Sequence, residues 1–259
     1  MGIVMLDNKV LMSGNQIALY IPPSPPSPPP PPPPIVPKGS LVKMNLDGTE
    51  RQYRVLSVNG NVCKVMGMWD DFTSKYNETS TTTTFGSITA QKYEGSTLDT
   101  YLNTTWYNTL SDTAKAAIVP ENVVQYCYKY YDEPNTPNTP TYTYHYQYDW
   151  DDSDYENADN VGNVMVGNRN VFALDLKDIF DYFDKVCITS NELMTLFFNQ
   201  TTQVSKYLWL RSSGVGFFTN VWSVIGNSGN LDNNAATNSS VVRPALNLDM
   251  SKIPYELIS

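Results

Sequence analysis

The spacing of apolar and polar positions changes several times along the chain, and each change marks an element. Ser40–Asn45 and Gln52–Val58 alternate with period two, so they predict a pair of strands turning at Asp47–Gly48. Asn59–Gly60 is the strongest hairpin signal in the sequence, and Asn61–Met68 follows it as the next strand. At Ser96 or Thr97 the period lengthens. Leu98, Tyr101, Leu102 and Thr105 share one face of a helix running to about Trp106. Ser111 with Asp112 opens a second helix through Ala117, stopped by Pro120. Thr79–Thr84 is polar without a helical period and reads as an exposed loop.

Period two returns in Val123–Tyr148, which predicts a β-hairpin arm. Tyr126, Tyr128 and Tyr130 alternate on the outgoing strand, Tyr142, Tyr144, Tyr146 and Tyr148 on the return, and Pro134–Pro140 forms the tip. Such a ladder fits packing within the sheet or between subunits, or stacking on sugar rings. Beyond it, Val171–Leu174 reads as a strand and Asp178–Phe183 as a short helix. Ser190 then caps a helix with Leu193, Met194, Phe197 and Phe198.

Upstream of residue 38 the pattern is different. Pro22–Pro37 is almost all proline, which fixes φ and cannot donate to a helix or ladder, so it predicts a polyproline II spacer spanning on the order of 45–50 Å. Before it, Ile3–Leu6 and Gln16–Ile21 are short apolar runs around a Ser13–Gly14–Asn15 turn. A piece of this size cannot bury a core alone and must pack on copies of itself or dock elsewhere. Three segments follow: an anchor at 1–21, a stalk at 22–37 and a folded domain at 38–259.

Composition narrows the chemistry. Hydrophobic residues make up 41%, enough for a sizeable core, whereas charged residues make up only 17%. The surface is therefore polar but largely uncharged. A net charge of −9 without a basic stripe disfavours nucleic acid as a partner. No apolar stretch reaches membrane-spanning length, and the apolar start is too short for a signal peptide. His145, the single histidine, lies in the tyrosine-rich Thr141–Tyr148 with no nucleophile motif nearby and reads as a solvated strand residue. Cys63, Cys127 and Cys187 lack metal or redox spacing and read as buried free thiols. Glu133–Pro134–Asn135 sits at the arm's tip without a downstream partner motif for calcium. Asp149–Asp154 departs from the calcium-loop pattern at Asp154 and Asn160 and reads as a solvated acidic loop, with calcium left open. Neither catalytic residues nor a cofactor or metal site follows from the sequence.

The C-terminal third carries a specific pattern. Trp209, Leu210, Arg211 and Ser212 form a W-x-R-S segment, Trp222 and Val224 an aromatic-x-Val turn; Gly229 follows, and Val242–Leu246 closes as V-R-P-A-L. With Arg51–Leu56 and the helix pair at Thr97–Ile118, these residues resemble the C-type-lectin-fold variable proteins of diversity-generating retroelements, found in phages and their bacterial hosts. The resemblance covers about Lys38–Leu248. It implies an α+β, C-type-lectin-like domain, with a mixed antiparallel sheet and two or more helices, behind the stalk and anchor.

In that family, adenine-directed mutagenesis rewrites Asn-type codons at solvent-facing positions while the scaffold stays fixed. The resemblance implies a ligand-binding face at Phe217, Phe218, Thr219, Asn220, Trp222, Ser223, Ile225, Asn227, Asn230, Asp232, Asn233, Asn234, Thr237 and Asn238. Trp209 and Arg243 fall to the scaffold, with Arg243 pinning the last strand beside the first. An ordinary Asn/Gly/Ser-rich loop is the plainer alternative. The formylglycine-generating enzymes of the same fold need paired C-terminal cysteines, which this chain lacks, so no enzyme is expected. The expectation is a phage fibre or decoration protein, a homotrimer displayed on the virion, binding a host-surface protein or glycan. The alternatives are a purely structural capsid or fibre protein and a bacterial surface adhesin of the same fold.

Overall fold

In the computed structural model of the chain, the described residues are 10–13, 16–19, 36–85, 88–128, 143–145, 163–184, 187–198, 207–214 and 219–258. Contacts divide the chain into two units, Met1–Pro34 and Ile35–Ser259. In the first, β1 (Val10–Ser13) and β2 (Gln16–Leu19) form an antiparallel hairpin with Ser13 opposite Gln16. The two strands flank Gly14–Asn15, the expected turn signal. The partner strand, however, starts at Val10. Ile3–Leu6 and residues 20–35, with most of the proline tract, lie outside the described residues.

The second unit opens with β3 (Leu41–Asn45), β4 (Glu50–Asn59) and β5 (Val62–Gly67). After these come β6 (Thr73–Lys75), β7 (Thr82–Phe85), β8 (Ile88–Gln91), α1 (Thr97–Thr100), a π-helical stretch (Tyr101–Trp106), α2 (Tyr107–Thr109) and α3 (Asp112–Ala117). The middle of the chain holds β9 (Glu121–Tyr128), β10 (Thr143–His145), β11 (Asn163–Arg169), α4 (Leu176–Phe183), β12 (Cys187–Thr189) and α5 (Ser190–Phe198). Last are β13 (Tyr207–Gly214), β14 (Asn220–Ile225), β15 (Leu231–Ala235), β16 (Ser239–Val241), β17 (Ala245–Asp249) and β18 (Glu256–Ile258). The unit is α+β, with mostly antiparallel and mixed sheets and a few short helices.

A five-stranded antiparallel sheet runs β17-β5-β4-β3-β18. A seven-stranded mixed sheet runs β11-β9-β13-β14-β15, with β16 joining β13 in parallel and β6 joining β16. Trp69 links the first sheet to the helices. Its ring meets Tyr53 edge-on with centroids 5.1 Å apart, and Trp106 lies 6.4 Å beyond. Residue 67 is glycine because the Trp69 ring occupies its side-chain space, with ring atoms 2.4 Å from where a Cβ would stand. Leu98, Leu102, Trp106, Leu110, Ala114 and Ala117 bury their side chains in this core.

Helix starts follow local chemistry. Ser96 accepts from the Asp99 N–H at 3.0 Å and Ser111 from the Ala114 N–H at 3.1 Å, as the sequence predicts. The helix expected at Asp178 begins two residues earlier, because Asp175 and Asp178 form a reciprocal capping box. At α5 the capping group is Thr189, whose hydroxyl accepts from the Glu192 N–H while the Glu192 carboxylate accepts from the Thr189 N–H. Ser190 is the first helical residue instead of the cap.

Four expectations are corrected. Thr82–Phe85 is a strand paired with β8, and only the residues before it are loop. Among the described residues the tyrosine arm does not pair on itself: β9 lies between β11 and β13, while β10 pairs with β12. Alternation at Tyr126 and Tyr128 forecasts a strand but says nothing about its neighbour. Tyr130, Tyr142, Tyr146, Tyr148 and the tip lie outside the described residues. Val171–Leu174 is extended and fully buried but makes only one bridge, Phe172 to Ala245. Lastly, the strand after Pro244, β17, pairs with β5, whereas β18 pairs with β3. Arg243 therefore does not pin the last strand beside the first. Pro244 immediately precedes β17, the terminal strand of its sheet.

Candidate ligand-binding face

The face rests on β13, where Leu208 to Gly214 is buried without interruption. Trp209 donates its indole N–H to the Ser74 carbonyl at 2.8 Å and meets Tyr76 edge-on at 5.9 Å. Arg211, 3% exposed, donates to the carbonyls of Val124 and Ala173 at 2.8 and 2.6 Å and pairs with Asp178 at 2.8 Å. The Lys64 ammonium bridges Asp178 and Glu121, 2.9 Å from each. Burial pushes the Asp178 carboxyl upward, but the charges of Arg211 and Lys64 outweigh it and hold that carboxyl well below the usual range. Burial likewise works against the Arg211 charge, and Asp178 and Asp175 overcome it. Gln125 completes the pillar. Its carbonyl oxygen accepts from the Tyr93 N–H at 2.7 Å, and its amide lies 2.9 Å from the Gln91 and Arg211 carbonyls.

The β14–β15 hairpin hangs on β13, with Trp209 opposite Ser223 and Ser223 opposite Asp232. Its middle is buried. Trp222 is 2% and Ser223 0% exposed, so these two expected contact residues belong to the scaffold. Both face packed neighbours because β14 is an interior strand, covered on both sides. The exposed expected residues collect at the two ends of the hairpin. Asn227 is exposed at the β14–β15 turn; Thr219, Thr237 and Asn238 are exposed at the open end. Asn220, Ile225, Asn230, Asp232 and Asn234 are half-buried between them. Phe217 and Phe218 lie outside the described residues; Asn233 pairs with Trp222 in the ladder, and its side chain is not described.

Both ends are fixed to the scaffold. At the turn, the Ile225 N–H donates to the Asn230 carbonyl at 2.8 Å. Gly229 has φ of +69°, and a Cβ there would stand 2.1 Å from the Ser190 carbonyl oxygen and 2.6 Å from the Met194 side chain. Only glycine lets this turn seat on α5. At the open end, Asn238 donates its side-chain amide to Asn234 at 2.7 Å, and Asn234 donates to the Ser240 hydroxyl at 3.0 Å. The Asn77 N–H reaches the Ala236 carbonyl at 2.9 Å. Tyr207 also belongs to this face, although the sequence pattern did not single it out. It is 36% exposed, stands opposite Ile225, and its hydroxyl donates to Asp232 at 3.3 Å. It is the first residue of the buried strand β13, where strand periodicity alone does not forecast exposure.

Among the described residues, this arrangement offers polar, mostly uncharged donors and acceptors with one exposed aromatic ring, Tyr207. Among the described residues, no three His, Cys, Asp or Glu side chains are placed to hold a metal ion. No helix there is long and apolar enough to cross a membrane. The Glu133–Asn135 and Asp149–Asp154 segments lie outside the described residues, as does the side chain of His145, whose backbone is in β10.

A family model described as a domain of unknown function, DUF6273, matches residues 73–250. The chain belongs to the DUF6273 family. The DUF6273 region begins at β6 and closes just after β17, so it contains the β13 pillar and the whole β14–β15 hairpin. The β3–β5 meander precedes it. No curated protein and no solved structure matches the chain.

Proposed function

We propose that this chain is a phage virion protein whose C-type-lectin-like domain binds a ligand on the host cell surface. The observation that carries the reading is the contrast within β14–β15: a buried middle locked to β13, with Asn227 exposed at one end and Thr219, Thr237 and Asn238 exposed at the other. Exchanging residues at those ends leaves the core untouched, which is what a diversified recognition surface requires. Recognition proceeds without chemistry: Tyr207 supplies rigid contact area, and Asn, Ser and Thr supply adaptable hydrogen bonds. Residues 1–21 dock the protein on the particle, the proline tract spaces the domain from it, and a homotrimer raises weak binding by multivalency.

The test is competition. Purified full-length protein, added to cells of the bacterium that the phage infects, is expected to block adsorption of the virion. Unimpeded adsorption at saturating protein contradicts the reading and leaves a structural decoration role. The neighbouring DNA gives a second test: a reverse-transcriptase gene with a near-identical copy of the Trp209–Leu246 segment is expected beside the gene.

A further inference from the structure

Arg54 and Arg243 form a second polar cluster, away from the hairpin. Arg54 lies on the same face of the five-stranded sheet as Met66 and Ala245, which stand in one row with it across β4, β5 and β17. Arg243 approaches from two residues before Ala245. Both arginines are more than nine-tenths buried, with exposures of 8% and 4%. Arg243 has company: its guanidinium meets the Asp70 carboxylate and the Phe197 carbonyl at the end of α5, contacts the Met68 sulfur at 3.9 Å, and lies 5.0 Å from the Phe198 ring centre. Among the described residues Arg54 makes a single hydrogen bond, to the Gly39 carbonyl at 3.2 Å. Among the described residues no carboxylate pairs with it. The Nε of each arginine is buried without a hydrogen-bond partner.

A guanidinium withdrawn from water without a counter-charge is strongly destabilising unless something else neutralises it. Among the described residues, two arginines against one aspartate leave an excess of one positive charge. A monovalent oxyanion balances that charge, while a divalent phosphate overshoots it. Carboxylate geometry also suits the guanidinium fork. We propose that Arg54, supported by the second positive charge of Arg243, binds a carboxylate group at the small part of its surface that stays exposed. Burial and the neighbouring Arg54 both hold the Arg243 guanidinium below its ordinary value despite Asp70, which agrees with a shortage of negative charge. The site is separate from the hairpin and does not depend on its function.

The experiment is a melting curve of the full chain at pH 7 in sodium formate against sodium chloride of equal ionic strength, with formate titration calorimetry on the same sample. Formate is expected to raise the melting temperature saturably, on the order of 2–4 °C. Arg54→Met is expected to melt no lower than wild type in chloride and to lose the formate response. Glucuronate in place of formate separates the sources: a shift with both assigns the site to the carboxylate of an acidic sugar, and a shift with formate alone to a free small ion. The proposal is overturned if wild type shows neither a formate-specific shift nor binding heat, if phosphate acts and formate does not, or if Arg54→Met responds like wild type. Wild-type calorimetry decides the matter even if the variant fails to fold.

Discussion

Arg211 and Asp178 pair at 2.8 Å in the interior, one from the strand beneath the candidate face and the other from the capping box of α4. Their contact ties the β13 pillar to the helix that Lys64 also grips from the five-stranded sheet. Breaking a buried pair from one side strands the other charge, so Asp178→Asn is expected to cost about 3–5 kcal/mol in urea denaturation.

The same pair sets an acid limb. The Asp178 carboxyl is held low in the folded chain, so the unfolded chain takes up its proton first as pH falls. Its contribution is complete above the ordinary aspartate range, about pH 4, and drains away below it. Asp178→Asn should therefore flatten the loss of stability below about pH 4. An unchanged acid slope would mean that the pair does not stabilise the fold.

Gly229 makes a second prediction. A side chain at φ +69° that also meets the Ser190 carbonyl can be placed only by moving the turn off α5. Gly229→Ala is expected to cost more than about 1 kcal/mol in thermal or urea unfolding. Gly95→Ala is the control for backbone strain alone, because its φ is +71° and its Cβ would meet nothing within 4 Å.

The two described thiols should be inert. Burial pushes Cys127 up to about 12 and Cys63 above its usual value, which disfavours the reactive thiolate at both, and both side chains are shielded from solvent. Iodoacetamide on the native chain should leave the Cys63 and Cys127 peptides unmodified by mass spectrometry, and urea should open both.

Much of the framework was legible because its signals are local. Asn59–Gly60, Ser96 and Ser111 each act within four residues, and each places its turn or helix start correctly. What the sequence does not carry is the identity of a strand's neighbour. Tyr126 and Tyr128 forecast β9 but not its place between β11 and β13. The candidate face divides for the same reason. An Asn-rich pattern suggests exposure throughout, whereas register and layer put Trp222 and Ser223 inside and leave Thr219, Asn227, Thr237 and Asn238 outside. Tyr207 was missed because one exposed aromatic at the start of a buried strand has no periodic signature.

Assembly follows from the small first unit. A two-stranded hairpin has too little apolar surface to hold its shape alone, so self-association through residues 1–37 is expected. Light scattering of the full chain should give a trimer. A monomer would contradict the stalk.

The most direct measurement is host-cell binding by the full chain carrying Thr219→Ala, Asn227→Ala and Thr237→Ala together, with melting temperature recorded on the same sample. The account predicts at least about tenfold weaker binding, equivalent to ~1.4 kcal/mol, at an unchanged melting temperature. Unchanged binding by an equally stable variant would contradict it and move the ligand to another surface.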